Sequence, residues 1–170
     1  MPARTINDSG IELIKHFESL RLNAYQDSVG IWTIGWGHTG LSHNDGTVHE
    51  GRVITEDEAV ALLKKDLKTF EDEVEKCVSV DINDNQFSAL VSFAFNLGGT
   101  NLRKSTLLKR LNDEQHFNAS KEFKKWSKAG GKRLGGLVRR RISERNLFCS
   151  FPEPIVETMP DNWEEIYKDL

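Results

Sequence analysis

Three side chains set the chemical question. Glu18 is followed nine residues later by Asp27, and Thr33 lies six residues beyond that. Paired carboxylates are the raw material of general acid–base catalysis. One Glu, one Asp and one Thr also make an ordinary solvated set, so the spacing matters only if the fold gathers them. Other chemistries find little footing. The chain has no Gly-x-x-x-x-Gly-Lys-Ser/Thr phosphate loop, no dinucleotide fingerprint leading into a helix and no Gly-x-Ser-x-Gly elbow. His38, His43 and His49 share one loop region, but their spacing matches no zinc motif and neither Cys77 nor Cys149 is nearby in sequence. No metal and no cofactor is expected.

The elements that must position these groups follow from periodicity. Asp8 and Ser9 are N-cap types, and Ile11, Ile14 and Phe17 follow at helical spacing beside Leu13 and Leu20. A helix over 9–20 is expected, with Glu18 near its C-terminal end. The period then changes. Leu22, Ala24, Tyr25, Trp32, Ile34 and Trp36 sit among turn residues, which reads as a β-hairpin turning at Ser28-Val29-Gly30. Folded back against the helix end, that hairpin would bring Glu18, Asp27 and Thr33 to one side of a cleft. Residues 39–51 read as a polar loop with room for a third short strand.

Thr55 with Glu58 forms a capping box. Behind it the stripe Ala59, Leu62, Leu63, Leu67, Phe70 and Val74 predicts a helix over 56–77, long enough to join two lobes. Residues 84–97 are apolar nearly all round, the pattern of a central buried helix, and Gly98-Gly99 should end it. Further helices are expected near 105–112, 116–126 and 137–148, with breaks at Gly130-Gly131 and Gly135-Gly136. Pro152, Pro154 and Pro160 mark a linker, and Trp163, Ile166, Tyr167 and Leu170 make one apolar face of a short acidic helix. The expected class is α+β. A small hairpin lobe over 20–54 meets a larger helical lobe, formed by residues 79–149 and the first helix. The long helix joins them, and an acidic tail over 150–170 follows.

At 170 residues, 38% hydrophobic and 29% charged, the chain is long enough for one well-buried core. Its apolar runs fall far short of the roughly 20 residues a spanning helix needs. The first ten residues, MPARTINDSG, have no apolar stretch, so neither a cleavable signal nor a membrane anchor is expected. Two cysteines do not make a disulfide framework, so free thiols in a cytosolic protein are expected. The net charge of −3 hides an asymmetry: residues 103–145 hold 14 basic and 4 acidic side chains. That stretch suggests an anionic partner such as nucleic acid, anionic lipid or an acidic wall polymer.

The local pattern is more specific than the triad. His16-Phe-Glu-Ser-Leu-Arg-Leu-Asn-Ala-Tyr-Gln-Asp, then Gly30-Ile-Trp-Thr-Ile-Gly-Trp-Gly-His-Thr-Gly, closely resembles the catalytic signature of the phage-type lysozymes, or endolysins, a family of glycoside hydrolases. The likeness continues through Ile54-Thr-Glu-Asp-Glu-Ala, Phe93-Ala-Phe-Asn-Leu-Gly, Lys104-Ser-Thr-Leu-Leu and Gly136-Leu-Val-Arg-Arg-Arg-Ile-Ser-Glu. It covers residues 9–149 and leaves the tail outside.

The resemblance implies a lysozyme-like fold and cleavage of the β-1,4 bond between N-acetylmuramic acid and N-acetylglucosamine in peptidoglycan, ending in lysis of a bacterial host. It makes Glu18 the general acid. Asp27 and Thr33 would hold and activate the attacking water, giving inversion across a carboxyl separation of roughly 6.5–9.5 Å. The helix end and the apolar neighbours Phe17 and Leu20 disfavour an ionised Glu18, which suits a proton donor. An opposing cation, Arg21 or Arg141, would work against that. Gly35, Phe95, Asn96, Ser105 and Arg139 are candidate substrate-binding residues, with Asn96 bonding an acetamido group and Phe95 lining the cleft wall. Trp32 and Trp36 flank the catalytic strand, to stack on sugar or to seal the core. His38 reads as structural, paired with Asp66.

Bacterial peptidoglycan is the implied substrate and partner. Nucleic acid is not, since no reader motif accompanies the basic stretch, and stable membrane insertion is not. A monomer is expected, made in the host cytoplasm and reaching the wall from the periplasmic side once a holin-type partner has permeabilised the membrane. The competing readings are a wall-binding module without catalysis and a lytic transglycosylase.

Overall fold

A computed structural model describes residues 4–40 and 47–150. Helix α1 covers Asp8–Phe17. Its cap is Asn7, one residue before the expected pair: Asn7 Oδ1 accepts from the Gly10 amide at 3.0 Å. The helix also stops earlier than its apolar stripe suggested. Glu18 takes extended backbone (φ −97°, ψ 146°) while its N–H closes the last turn on Ile14. Gly10 is where α1 crosses the central helix. A Cβ there would lie 2.6 Å from Ile6 Cγ1 and 2.7 Å from Ser88 Cβ, so only glycine permits this approach.

The chain then runs directly into strands β1 (Arg21–Gln26) and β2 (Trp32–Gly35). They pair antiparallel, with Tyr25 opposite Thr33 and Arg21 opposite Gly35. A third extended stretch joins β1 later than expected, at Arg52–Ile54: the Ala24 amide donates to Arg52 O and the Ile54 amide to Leu22 O. His43 and the rest of 41–46 lie outside the described residues.

Helix α2 (Glu56–Cys77) starts at the full capping box of Thr55 and Glu58 and spans the expected range. Helix α3 (Asp84–Leu97) does too, opened by a second box from Asn83 and Gln86 and buried from Phe87 to Ala94. Gly98, at φ 88°, ends α3, but the chain restarts at once as α4 (Gly99–Lys104), a helix the sequence pattern does not predict. A Cβ on Gly99 would run into the Glu73 carboxylate.

Helix α5 spans Thr106–Asn112. The single helix expected over 116–126 is two pieces, α6 (His116–Ser120) and a 3₁₀ turn at Phe123–Trp126. Gly130 and Gly131, at φ 57° and 78°, turn a tiny hairpin of β3 (Lys128–Ala129) and β4 (Lys132–Arg133). Gly135 and Gly136 do not break the chain; they open the last helix, α7 (Gly135–Cys149). Both are exposed in its first turn, where a missing side chain costs little packing.

The expected α+β class holds: helices dominate, and the sheets are two-stranded. Helices α1, α2 and α7 all pack on α3. One buried cluster runs from Ile34, Trp36 and Ile54 beside the hairpin to Phe87, Phe93 and Phe123 among the helices. No helix among the described residues is long and apolar enough to cross a membrane. The expected linker and amphipathic tail fall in residues 151–170, outside the described ones.

Candidate active site

Glu18 caps α1 at the junction with β1, so the helix end and the strand start fix its backbone from both sides. Its side chain is about a third exposed and meets Arg140 of α7, whose Nη1 donates to Glu18 Oε1 at 2.5 Å. The opposing cation is therefore neither Arg21 nor Arg141. Arg21 lies over the Tyr25 ring at 5.7 Å, on the exposed side of β1. Arg141 points inward, 5.1 Å above the Phe93 ring. Arg140 reaches Glu18 because α7 packs against α1, and its guanidinium also sits 5.9 Å from the Phe17 ring.

Asp27 follows β1 and shapes the turn. One oxygen, Oδ1, accepts from the Val29 and Ile31 amides, each at 2.9 Å. Its backbone amide donates to Ile31 O, also at 2.9 Å. Thr33 lies on β2, buried, with its hydroxyl donating to the same Ile31 carbonyl at 3.1 Å. The Ile31 peptide groups thus hold both side chains: its N–H is bonded to Asp27 and its C=O to Thr33. The second Asp27 oxygen, Oδ2, has no part in these turn bonds.

His38 follows β2 and is buried. Its Nδ1 lies 2.9 Å from Asp66 Oδ1 and 3.0 Å from Asp66 Oδ2 on α2. The pair ties the hairpin to the long helix, and the backbone of His38 bonds Ile34 in both directions. Gly35 is buried at φ 66°, where a Cβ would contact Ala59 and Ile54. It brings β2 tightly against α2. Trp36 is buried in the core, with the Lys15 ammonium 5.2 Å from its ring, while Trp32 is half-buried.

The helical candidates differ among themselves. Asn96, in the last turn of α3, accepts through Oδ1 from Arg141 Nη2 at 2.9 Å. Phe95 is half-buried, edge-on to Phe70 at 5.5 Å. Ser105 is spent on capping: its hydroxyl donates to Leu102 O at 2.7 Å and accepts from the Leu108 amide at 3.0 Å. Arg139 is exposed one residue before Arg140.

Sequence reading named Arg141 but missed Arg140 and Glu144 behind Glu18. Arg140 and Arg141 both converge on Glu144, which is buried completely and also accepts from the Ser92 hydroxyl at 2.8 Å. Burial pushes the Glu144 carboxyl up and pulls the Arg141 guanidinium down, and their ion pair opposes both. The available signal was the spacing of Arg140 and Arg141 four and three residues before Glu144, which puts all three on one helix face. Two members of the basic stretch are thus internal and present no charge to a partner.

Comparison with known proteins addresses the family. The phage lysozyme family model matches residues 15–144. The endolysin of Bacillus phage B103 is 47% identical over 147 residues, covering 85% of this chain and 54% of that protein. The chain thus spans about half the length of that relative. The endolysin of Acyrthosiphon pisum secondary endosymbiont phage 1 is 44% identical over 149 residues, covering 85% and 98% respectively. The solved muramidase domain of SpmX from Asticaccaulis excentricus superposes with a TM-score of 0.77 at 38% identity, over 86% of this chain and 99% of that one. An α+β framework with Glu18 capping its first helix, Asp27 and Thr33 on its hairpin, and relatives of this closeness places the chain in the phage lysozyme family.

Proposed function

We propose that the protein is a lysozyme that degrades bacterial peptidoglycan by hydrolysing the β-1,4 bond between N-acetylmuramic acid and N-acetylglucosamine. The observation that carries this reading is that two differently supported carboxyls sit on a helix end and on the hairpin that follows it. Glu18 is held by a guanidinium at a helix end, whereas Asp27 is held by amides in a turn shared with Thr33. Glycoside hydrolysis needs such a division of labour: one carboxyl protonates the leaving oxygen, and the other face of the sugar needs an ionised group. Glu18 is the donor. Asp27, through its second oxygen, and the Thr33 hydroxyl hold the attacking water, and the product inverts. Asn96 has its Oδ1 held by Arg141, which leaves the Nδ2 amide to donate to an acetamido carbonyl. Phe95 and Arg139 complete the substrate contacts. His38 and Asp66 brace the hairpin.

The protein acts as a monomer on the wall. Synthesis in the host cytoplasm and release through a holin-type partner are the finer reading that the family likeness supports. The test is product analysis on purified peptidoglycan. Wild type should release reducing ends and muropeptides heavier by one water, and Glu18→Gln should abolish both. Anhydro products would overturn hydrolysis in favour of transglycosylation. Wall binding with no product would leave a binding module.

A further inference from the structure

Glu144 carries a carboxyl group that is buried completely. Its Oε1 accepts from Ser92 Oγ at 2.8 Å, Arg141 Nη2 at 3.0 Å and Arg140 Nε at 3.2 Å. Its Oε2 lies 2.9 Å from Arg141 Nε. Three donors thus hydrogen-bond Oε1, while the approach of Arg141 Nε to Oε2 is an ion-pair contact alone. The charged groups facing it are Arg140 and Arg141 of its own helix. From α3 comes the Ser92 hydroxyl, and α1 reaches it only through Arg140, by way of Glu18.

Both guanidiniums are shared outward. Arg140 splits its fork, with Nε on Glu144 and Nη1 on Glu18. Arg141 Nη2 divides between Glu144 and Asn96 Oδ1. Two residues of the proposed site, on the ends of two different helices, therefore hang from one carboxylate on a third. This arrangement also addresses an electrostatic difficulty. Two guanidiniums stand behind the proposed site, and Glu144 lies within ion-pair distance of both.

We propose that Glu144 is a positioning residue for the glycosidase site: it orients Arg140 and Arg141 and offsets their charge, so that Arg140 steadies Glu18 while Arg141 steadies Asn96. The proposal rests on Glu18 being the proton donor.

The test measures kcat, KM and melting temperature on soluble peptidoglycan chains for Glu144→Gln, Arg141→Gln, the double variant and Glu18→Gln. Glu144→Gln should lower kcat about tenfold or more, with KM changing far less, because unopposed positive charge acts on the chemical step. Adding Arg141→Gln should then raise kcat again while lowering the melting temperature further and raising KM. A merely structural carboxylate would give the opposite sign, with the double variant worse in every respect. If Glu144→Gln does not fold, the double variant is compared with Arg141→Gln alone, and loss of Glu144 should lower kcat there too. Wild-type kcat in folded Glu144→Gln, or no kcat difference in that second comparison, overturns the proposal. An active Glu18→Gln would instead sink the donor assignment itself. An inactive Glu18→Gln beside a fully active Glu144→Gln removes only the positioning role.

Discussion

Arg140 bonds Glu18 with one nitrogen at 2.5 Å and Glu144 with another at 3.2 Å, a span that needs the guanidinium fork. A lysine has a single ammonium and cannot serve both carboxyls in this geometry. Arg140→Lys should therefore cost about 1.5–3 kcal/mol of stability, the worth of a charge-assisted bond. It should also lower kcat by about tenfold, equivalent to ~1.4 kcal/mol in the barrier. Thermal unfolding and turnover measured together check this, and an unchanged kcat would show that Glu18 does not depend on the fork.

His38 is a different case, because its bond to Asp66 braces the hairpin on α2. His38→Asn should cost about 1–3 kcal/mol, since the shorter side chain leaves a half-buried partner poorly satisfied. For a chain of this size each kcal/mol lowers the melting temperature by about 2–4 °C. The folded variant should keep most of its activity. Lost activity without lost stability would move His38 into the chemistry.

Asp27 combines two tasks that substitution can separate. Asn keeps an oxygen for the Val29 and Ile31 amides, so Asp27→Asn should fold normally and lose about 10²–10⁴ in kcat, the range for a missing acid–base group. Asp27→Ala removes the turn bonds as well and should be less stable by about 1–2 kcal/mol, with a lower melting temperature. Equal melting temperatures for the two variants would show that the turn does not need the side-chain oxygen.

The two cysteines should be chemically distinct. Cys149 is exposed. Burial pushes the Cys77 thiol up from its ordinary value of 9.0, and its Sγ donates to Val74 O at 3.5 Å. A raised thiol pKa favours the neutral form, so Cys77 gains thiolate only as pH climbs beyond the ordinary range. Titration with a thiol reagent at neutral pH should show one fast and one slow equivalent, and the slow one should quicken with rising pH or on unfolding. Two fast equivalents at neutral pH would contradict this.

Salt should matter through the surface rather than the site. Lys125, Lys128, Lys132, Arg133 and Arg139 are exposed within one short stretch. Peptidoglycan carries lactyl and peptide carboxylates, and a Debye length of about 10 Å at 0.1 M screens their attraction. KM for wall fragments should rise with ionic strength while kcat holds. A salt-independent KM would leave the basic stretch without a part in wall binding.

What sequence could show depended on the range of the interaction. The capping box at Thr55 and the all-round apolar run after Asp84 are local, and both helices span their expected residues. The hairpin was legible for the same reason. The Asn7 cap and the early stop at Glu18 were not, because apolar periodicity continues past the residue where the backbone leaves the helix. Gly135 and Gly136 misled because glycine signals a break only where neighbouring helix turns do not carry it along. At the site, Glu18, Asp27 and Thr33 stood out through a motif. Arg140 did not, since three adjacent arginines give no hint of which one turns toward α1 and which toward α3.

The bond between Glu18 and Arg140 joins positions 122 residues apart. A ribosome adding about 5–20 residues per second takes several seconds to traverse that interval. During that time the proposed acid, its helix and its hairpin have emerged, but the guanidinium that steadies Glu18 has not been made. The order of synthesis therefore keeps the proposed donor without its support until nearly the last described helix has been added. A chain cut short before α7 would carry Glu18, Asp27 and Thr33 and lack the ion pair.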